Sequence, residues 1–268
     1  MAEIIFWITI FLVFYTYIGY SLLVMFFSRF FSNKVQKGEI EPRVTFLITA
    51  YNEEKNIAQK LENTLSLNYP KDKLEILVAS DGSTDMTDEI VRSFADRGVK
   101  LLRVEGRVGK TETQNQAVKS ATGDIIIFSD ATTRYEKNNI RNIVRNYADS
   151  TVGAVSGRYE YYNPTGAAIG VGNILFWKYE NFIKSSQTRI KTITGCCGCI
   201  YSVRRELYEP LPPDIISDLV EPLKILEKGY RIAFEPDAIA YEETTEKASE
   251  EFYMRIRVIS RGMRGLLY

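Results

Sequence analysis

VTFLITAYNEEKNIAQKLENTLSLNYPKDKLEILVASDGSTD, residues 44–85, decides the fold. It opens on a short apolar run at 44–48, the pattern of a strand buried on both faces. Ile57, Leu61 and Leu65 then share one face of a helix, and Tyr69-Pro70 ends it because proline keeps the residue before it out of the α conformation. A second apolar run at 74–79 leads into Asp81-Gly82-Ser83. Downstream the cycle repeats as helix 87–94, strand 99–104, helix 111–120 and strand 125–128. Such alternation predicts an α/β fold with parallel strands covered by helices. Sheets of that kind bind ligands at the carboxyl ends of their strands. The polar clusters fall there: Tyr51-Asn52-Glu53 after the first strand, Asp81 after the second and Asp130 after the fourth.

Past residue 150 the pattern is more mixed, with a strand expected at 152–156, a helix at 173–185, a Gly-Cys turn at 195–200 and a strand at 232–234. No linker intervenes, so a second lobe sharing the same core is expected. The tail differs again: Phe252, Ile256, Ile259 and Met263 form one helical stripe, and Arg257, Arg261 and Arg264 another. That pattern suits a helix at a membrane surface or against an anionic ligand.

The 268 residues are 45% apolar, ample for a buried core, and the 34 basic and 34 acidic side chains cancel, so no nucleic acid partner is expected. There is no histidine, which excludes Ser-His-Asp and Cys-His catalysis and the HExxH zinc proteases. Proton transfer is left to a carboxylate, Lys, Tyr or Cys. The three cysteines, Cys196, Cys197 and Cys199, are too clustered for a disulfide framework and fit a reducing compartment. They read as small residues on a tight turn beside Gly195 and Gly198 rather than as tetrahedral metal ligands.

Residues 4–27 carry no charge, and at about 1.5 Å per residue they can cross a hydrocarbon core of roughly 30 Å. Glu3 precedes them and no A-x-A-like site follows, which favours an anchor over a cleaved signal. Arg29, Lys34 and Lys37 all follow the helix, so the positive-inside bias predicts a single-pass protein of the cell membrane with its catalytic part in the cytoplasm. The expected division is an anchor at 1–31, a linker at 32–41, a catalytic domain at 42–247 with halves 42–150 and 151–247, and an interfacial amphipathic helix at 248–268.

Gly109-Lys110-Thr111 has the end of a phosphate-binding P-loop, but that motif needs a glycine where this chain has Val104. No GxGxxG follows the first strand. What remains is an ordered series: ITAYNEE (48–54), ASDGSTD (79–85), GKTETQNQAVKSATGD (109–124), FSDATT (128–133), ISDLVEPLKILEKGYRIAFEPDA (216–238) and RVISRG (257–262). This series resembles the inverting family-2 glycosyltransferases, which include cellulose, chitin and hyaluronan synthases and enzymes of bacterial surface polysaccharides. The resemblance implies a GT-A fold, with a nucleotide-binding half joined to an acceptor-binding half.

It also implies residue roles. Ala50, Tyr51 and Glu53 would belong to the uridine pocket and Asp81 to the uracil ring, whose N–H a carboxylate accepts. The alternative is that Asp81 only holds the Gly82-Ser83 turn. Lys110 would lie along the diphosphate, and otherwise is a solvated lysine at a helix start, where the helix dipole disfavours it. Asp130 matches the first acid of the DxD motif that holds Mg²⁺ or Mn²⁺, with Thr132 in place of the second acid, so another ligand is wanted or phosphate and water suffice. Asp218 matches the general base, with an N-cap of helix 219–227 as its alternative. Of the QxxRW signature only Arg261 is present, as a diphosphate contact or as a solvated arginine facing headgroups.

The expected activity is therefore inverting transfer of a sugar from a UDP-sugar to a hydroxyl of a lipid-linked or polysaccharide acceptor, with a divalent cation. Two rivals remain: a polyprenyl-phosphate sugar transferase, and a catalytically silent sugar-nucleotide binder. Processive relatives carry further membrane helices after the catalytic domain. A chain with one such helix is a non-channel enzyme, one that needs a membrane-protein partner, or a truncated form.

Overall fold

The computed structural model describes residues 1–163, 166, 168–244 and 248–268. Val44–Ala50 (β1) is an interior strand, third in order, of an eight-stranded sheet. Val44, Phe46, Ile48 and Ala50 point into one core and Leu47 into the other, which is why the whole strand is apolar. Leu74–Asp81 (β2) and Ile125–Asp130 (β4) flank β1 in parallel, and Val99–Val104 (β3) adds beyond β2. Helices Ile57–Leu65 (α2), Thr87–Arg92 (α3) and Lys110–Ser120 (α4) make the connections, following the N-terminal helix Ala2–Phe30 (α1). The chain leaves β1 toward β3 and returns to β4 on the other side, so a crevice opens where the direction of winding reverses.

Beyond β4 the sheet is mixed. Ile200–Arg204 (β7) runs antiparallel to β4, Val152–Tyr162 (β6) antiparallel to β7, and Arg231–Glu243 (β8) parallel to β6, with the two-residue Arg134–Tyr135 (β5) at the edge. Strands β6 and β8 are longer than their apolar runs at 152–156 and 232–234. Between them the register jumps at Gly157/Arg158, which absorbs Pro236 and its missing N–H, after which Arg158 to Tyr162 pair with Ile239 to Glu243. The extension mixes polar and aromatic residues with only a short buried stretch, Ala238 to Ala240, so no long apolar run marked it. Asn139–Val144 (α5), Ala168–Ile190 (α6), Ser217–Glu227 (α7) and Ala248–Leu266 (α8) complete the helices. The boundary expected at residue 247 lies outside the described residues.

Helix α1 spans 29 residues at mean hydropathy 2.0, long and apolar enough to cross a membrane, and nearly all of it is uncovered by protein. Its hydroxyls bond within the helix: Thr9 to the Ile5 carbonyl at 2.9 Å, and Thr16, Ser21 and Ser28 to the carbonyls of Leu12, Ile18 and Met25 at 2.8 Å each. Hydrocarbon demands that internal satisfaction. Tyr179 of α6 donates to the Tyr17 carbonyl at 2.5 Å, and Gln187 to Tyr20 Oη at 2.6 Å, tying the helix to the domain. The segment after it lies against the domain: Lys37 pairs with buried Glu235 at 2.7 Å, and Glu41 with Arg141 at 2.9 Å and Lys73 at 3.2 Å.

Candidate active site

A cavity of about 650 Å³ lies at the carboxyl ends of β1 and β2, lined among others by Ala50, Tyr51, Glu53, Asp81, Arg107, Lys110, Arg257 and Arg261. A smaller one of about 220 Å³ adjoins it, lined by Asp218 and sharing Lys110, Arg257 and Arg261. Six of the residues picked from sequence (Ala50, Tyr51, Glu53, Asp81, Lys110 and Arg261) thus line one cavity, and Asp218 lines the next.

The loops after β1 and β2 are locked together. The Asn52 N–H donates to Ser83 Oγ at 3.1 Å, and the Thr84 N–H to Asn52 Oδ1 at 2.9 Å. Asn52 sits at φ 53°, a left-handed conformation that asparagine tolerates. Gly82 sits at φ 66° and a Cβ there would lie 2.5 Å from the Gly106 carbonyl oxygen, so the turn requires glycine. Asp81 accepts from the Val108 N–H at 2.8 Å and the Gly109 N–H at 3.0 Å. It therefore fastens the loop before α4 rather than only its own turn. On that loop the Arg107 guanidinium stands 4.1 Å from the centre of the Tyr51 ring.

Lys110 opens α4, and its Nζ lies 2.5 Å from Asp130 Oδ1. Burial pushes the Lys110 pKa down, but the carboxylates of Asp130 and Asp218 outweigh it and hold it above the ordinary lysine value. Asp218 is not the N-cap that the sequence allowed: Ile216 holds that position, and Asp218 stands in the first turn of α7. Burial pushes its carboxyl above the ordinary value, Lys110 opposes this, and Asp130 adds to it. Gly198 faces Asp218 so closely that a Cβ there would come within 2.4 Å of Oδ2.

The polar face of α4 carries the loop that delivers Asp218. Thr111 Oγ1 donates to the Ile215 carbonyl at 2.7 Å, Asn115 Nδ2 to the Leu211 carbonyl at 2.8 Å, and Ser217 Oγ to Gln114 Oε1 at 2.7 Å. The turn after β4 is pinned as firmly. Lys60, fully buried on α2, donates to the Thr133 carbonyl at 2.8 Å and lies 4.0 Å from the centre of the Tyr135 ring. Burial drives the Lys60 pKa well down, Arg134 pushes the same way, and Asp130 and Glu242 oppose. Tyr135 Oη in turn donates to the Cys199 carbonyl.

Thr132 does not line either cavity. It donates to Glu242 Oε1 at 2.6 Å, and Tyr159 Oη donates to Glu242 Oε2. Burial raises the Glu242 carboxyl, these two hydroxyls pull it back, and the charge of Asp130 raises it further. Among the described residues no three Asp, Glu, His or Cys side chains gather as a metal cage. Asp130, Thr132 and Glu242 offer oxygen ligands, the donor type of a hard cation completed by phosphate and water, with the Lys110 ammonium on one Asp130 oxygen. The cysteines are free thiols on the turn, Cys197 and Cys199 buried with sulfurs 3.3 Å apart. Burial pushes the Cys196 and Cys199 thiols up, away from metal-binding thiolate.

Sequence reasoning missed Lys60, Arg107, Gly198 and Glu242. For Lys60 a signal existed: it shares the buried face of α2 with Ile57, Leu61 and Thr64.

Residues 45–211 match the family described as "Glycosyl transferase family 2". A probable glycosyltransferase, YdaM, of Bacillus subtilis (strain 168) is 30% identical over 219 residues, which is 76% of this chain and 51% of that one. The poly-beta-1,6-N-acetyl-D-glucosamine synthase of Staphylococcus aureus (strain COL) is 27% identical over 230 residues, 84% of this chain and 55% of that one. This chain thus spans about half the length of these relatives. Among solved structures, the mannosyltransferase PcManGT from Pyrobaculum calidifontis in complex with GDP-Man and Mn²⁺ superposes with TM-score 0.77 at 27% identity, covering 92% of this chain and 70% of that one. GalNAc-T7 shares the fold, with TM-score 0.61 at 18% identity over 77% of this chain and 45% of that one. The fold is GT-A, the parallel strands β1 to β4 are those that the strand and helix alternation predicts, and the chain belongs to glycosyl transferase family 2.

Proposed function

We propose that this protein is a membrane-anchored glycosyltransferase that moves a sugar from a UDP-sugar to a hydroxyl of a lipid-linked or polysaccharide acceptor, with inversion. One observation carries the proposal: Lys110, paired with Asp130 at 2.5 Å, lines both cavities, and Asp218 lines the second. A base and a phosphate-binding group are thereby held on one cleft. In this reading Asp81, with lone pairs beyond those given to Val108 and Gly109, accepts the base N–H. Lys110, Arg257 and Arg261 offset the charge that grows on the diphosphate as the anomeric C–O bond breaks. Asp218 takes the acceptor proton while the acceptor oxygen forms the new bond from the opposite face. Its raised carboxyl pKa suits that task. A divalent cation, Mg²⁺ or Mn²⁺, held by Asp130 with Thr132 beside it, would neutralise diphosphate charge.

The acceptor side is supported by a groove of about 450 Å³ lined by Tyr17 and Tyr20 of α1, by Tyr179 and Lys184 of α6, and by Gly195 and Cys196. The Cys196 N–H donates to the Asp218 main-chain carbonyl at 3.0 Å, so the turn that lines this groove is bonded to the backbone that carries the base. The synthase relative of Staphylococcus aureus favours a polysaccharide product, and a role in cell-surface polysaccharide synthesis follows. A second reading has its own support: the mannosyltransferase similarity favours GDP-mannose as donor.

The test is nucleotide release by the full chain in native membranes, with UDP-glucose, UDP-N-acetylglucosamine and GDP-mannose, with Mn²⁺ or EDTA. The expected result is UDP release that EDTA stops and that Asp218→Asn lowers by about 100-fold or more. Release of GDP alone would replace the donor. Full turnover by Asp218→Asn would point instead to a phosphate acceptor, which needs no base.

A further inference from the structure

Within that reading of a cation-dependent transferase, we infer that Glu242 supplies the second carboxylate of the cation site, in place of the acid that Thr132 lacks. The two residues are far apart in sequence and the sheet joins them. Strand β5 pairs antiparallel with β8, Arg134 opposite Tyr241 and Tyr135 opposite Ala240. Continued by one step, that register brings Glu242 level with Thr133, beside the turn that follows Asp130.

The side chains complete the placement. Thr132 Oγ1 is one bond beyond its Cβ, and Glu242 Oε1 lies 2.6 Å further on. An aspartate at 132 would carry its own oxygens one bond past that Oγ1 position, into the space that Glu242 fills. A two-residue solution, hydroxyl plus remote carboxylate, thus stands where the family motif uses one acid.

Charge points the same way. Glu242 is half-buried, and its two oxygens accept only hydroxyl hydrogens, from Thr132 and Tyr159. Among the described residues no lysine or arginine pairs with it directly. Its neighbour Asp130 is also an acid and holds Lys110, while the buried Lys60 ammonium is spent on the Thr133 carbonyl. With Lys110 on Asp130 and Lys60 on a carbonyl, the Glu242 carboxylate has no cation among the described residues hydrogen-bonded to it, and a divalent cation would supply one. Each Glu242 oxygen keeps a lone pair free after its single hydrogen bond.

The experiment titrates Mn²⁺ into the solubilised full chain, with UDP or GDP as the donor screen selects, and follows free Mn²⁺ by electron paramagnetic resonance. Wild type, Glu242→Gln, Glu242→Asp, Thr132→Asp and the double variant Thr132→Asp/Glu242→Gln are compared, with thermal melts to confirm folding. Glu242→Gln should weaken Mn²⁺ binding at least about ten-fold. The double variant, which returns an acid to the motif position, should recover most of it. Glu242→Asp should fall between wild type and Glu242→Gln. Metal-free nucleotide binding should be unchanged throughout. Wild-type Mn²⁺ affinity in Glu242→Gln would overturn the inference while leaving the proposed function intact, as would a double variant that stays weak although folded. If Glu242→Gln does not fold, an equally weak Glu242→Asp with no gain from Thr132→Asp overturns it as well. Absence of Mn²⁺ uptake by wild type would instead defeat the cation-dependent reading itself.

Discussion

The hydrogen at Gly198 sets where the Asp218 carboxylate rests. With methyl in its place the contact to Oδ2 would be 2.4 Å and to Cγ 3.1 Å, so either the turn at 195–199 or the carboxylate must move. Displacement of a base by about 1 Å costs on the order of 100-fold in rate. Gly198→Ala should therefore lower kcat by roughly 10- to 100-fold while the donor KM and the melting temperature change little, measured by nucleotide release and a thermal melt. The pH profile should show the Asp218 environment too. Its carboxyl is raised above the ordinary 3.8, so the base form is lost, and the acidic limb of kcat/KM falls, at a pH above that value. Asp81, Asp130 and Asp218 were legible in the sequence because each sits at a strand end or helix start inside a local motif. Gly198 and Glu242 were not, since what defines them is a neighbour 20 and 110 residues away, brought near only by the sheet.

Among the elements, the tail helix α8 shows how one periodic pattern serves two surfaces. Arg257 and Arg261 line both cavities, while Phe252, Ile256, Ile259 and Met263 remain more than 40% exposed on another side. Arg264, one turn on, pairs with Asp214 at 2.7 Å. The arginines that line the cavities should matter more for the donor than the one that is paired. Arg257→Ala and Arg261→Ala should each raise the UDP dissociation constant by about ten-fold, a charge-assisted contact's worth, and Arg264→Ala by less than about three-fold, as isothermal titration would measure. The two stripes of this helix were readable because a 3.6-residue period survives in sequence. The lengths of β6 and β8 were not. Their outer halves, 158–162 and 239–243, pair with each other and bury few apolar side chains, among them Tyr159, Ile239 and Ala240, and Pro236 at the bulge hides the continuity.

At the scale of the whole molecule, the membrane face and the cleft impose a common orientation. Helix α1 carries Arg29 in its last turn, and a cavity of about 690 Å³ at its foot is lined by Arg29, Lys34, Lys37 and, from α6, Arg189. Clustered cations directly after an apolar span favour the anionic cytoplasmic leaflet for that end, which makes the orientation a prediction to test. The groove lined by Tyr17, Tyr20 and Cys196 lies between the same helix and the Gly-Cys turn, whose Cys196 N–H bonds to the Asp218 main-chain carbonyl, and in the proposed reading an acceptor would approach from that side. Nucleotide sugars are water-soluble, polyanionic donors, and they reach the cleft only from the aqueous side on which the domain stands. Trypsin added to sealed inside-out vesicles should therefore digest the domain, starting at exposed Lys34 and Arg43-side sites of the segment after α1, and saturating nucleotide with Mn²⁺ should slow cleavage at Arg257 and Arg261. In right-side-out vesicles the domain should stay intact. The opposite pattern of protection would place the cleft across the membrane from its cationic foot's expected leaflet, and the anchor would then have to be inserted against its own charge distribution.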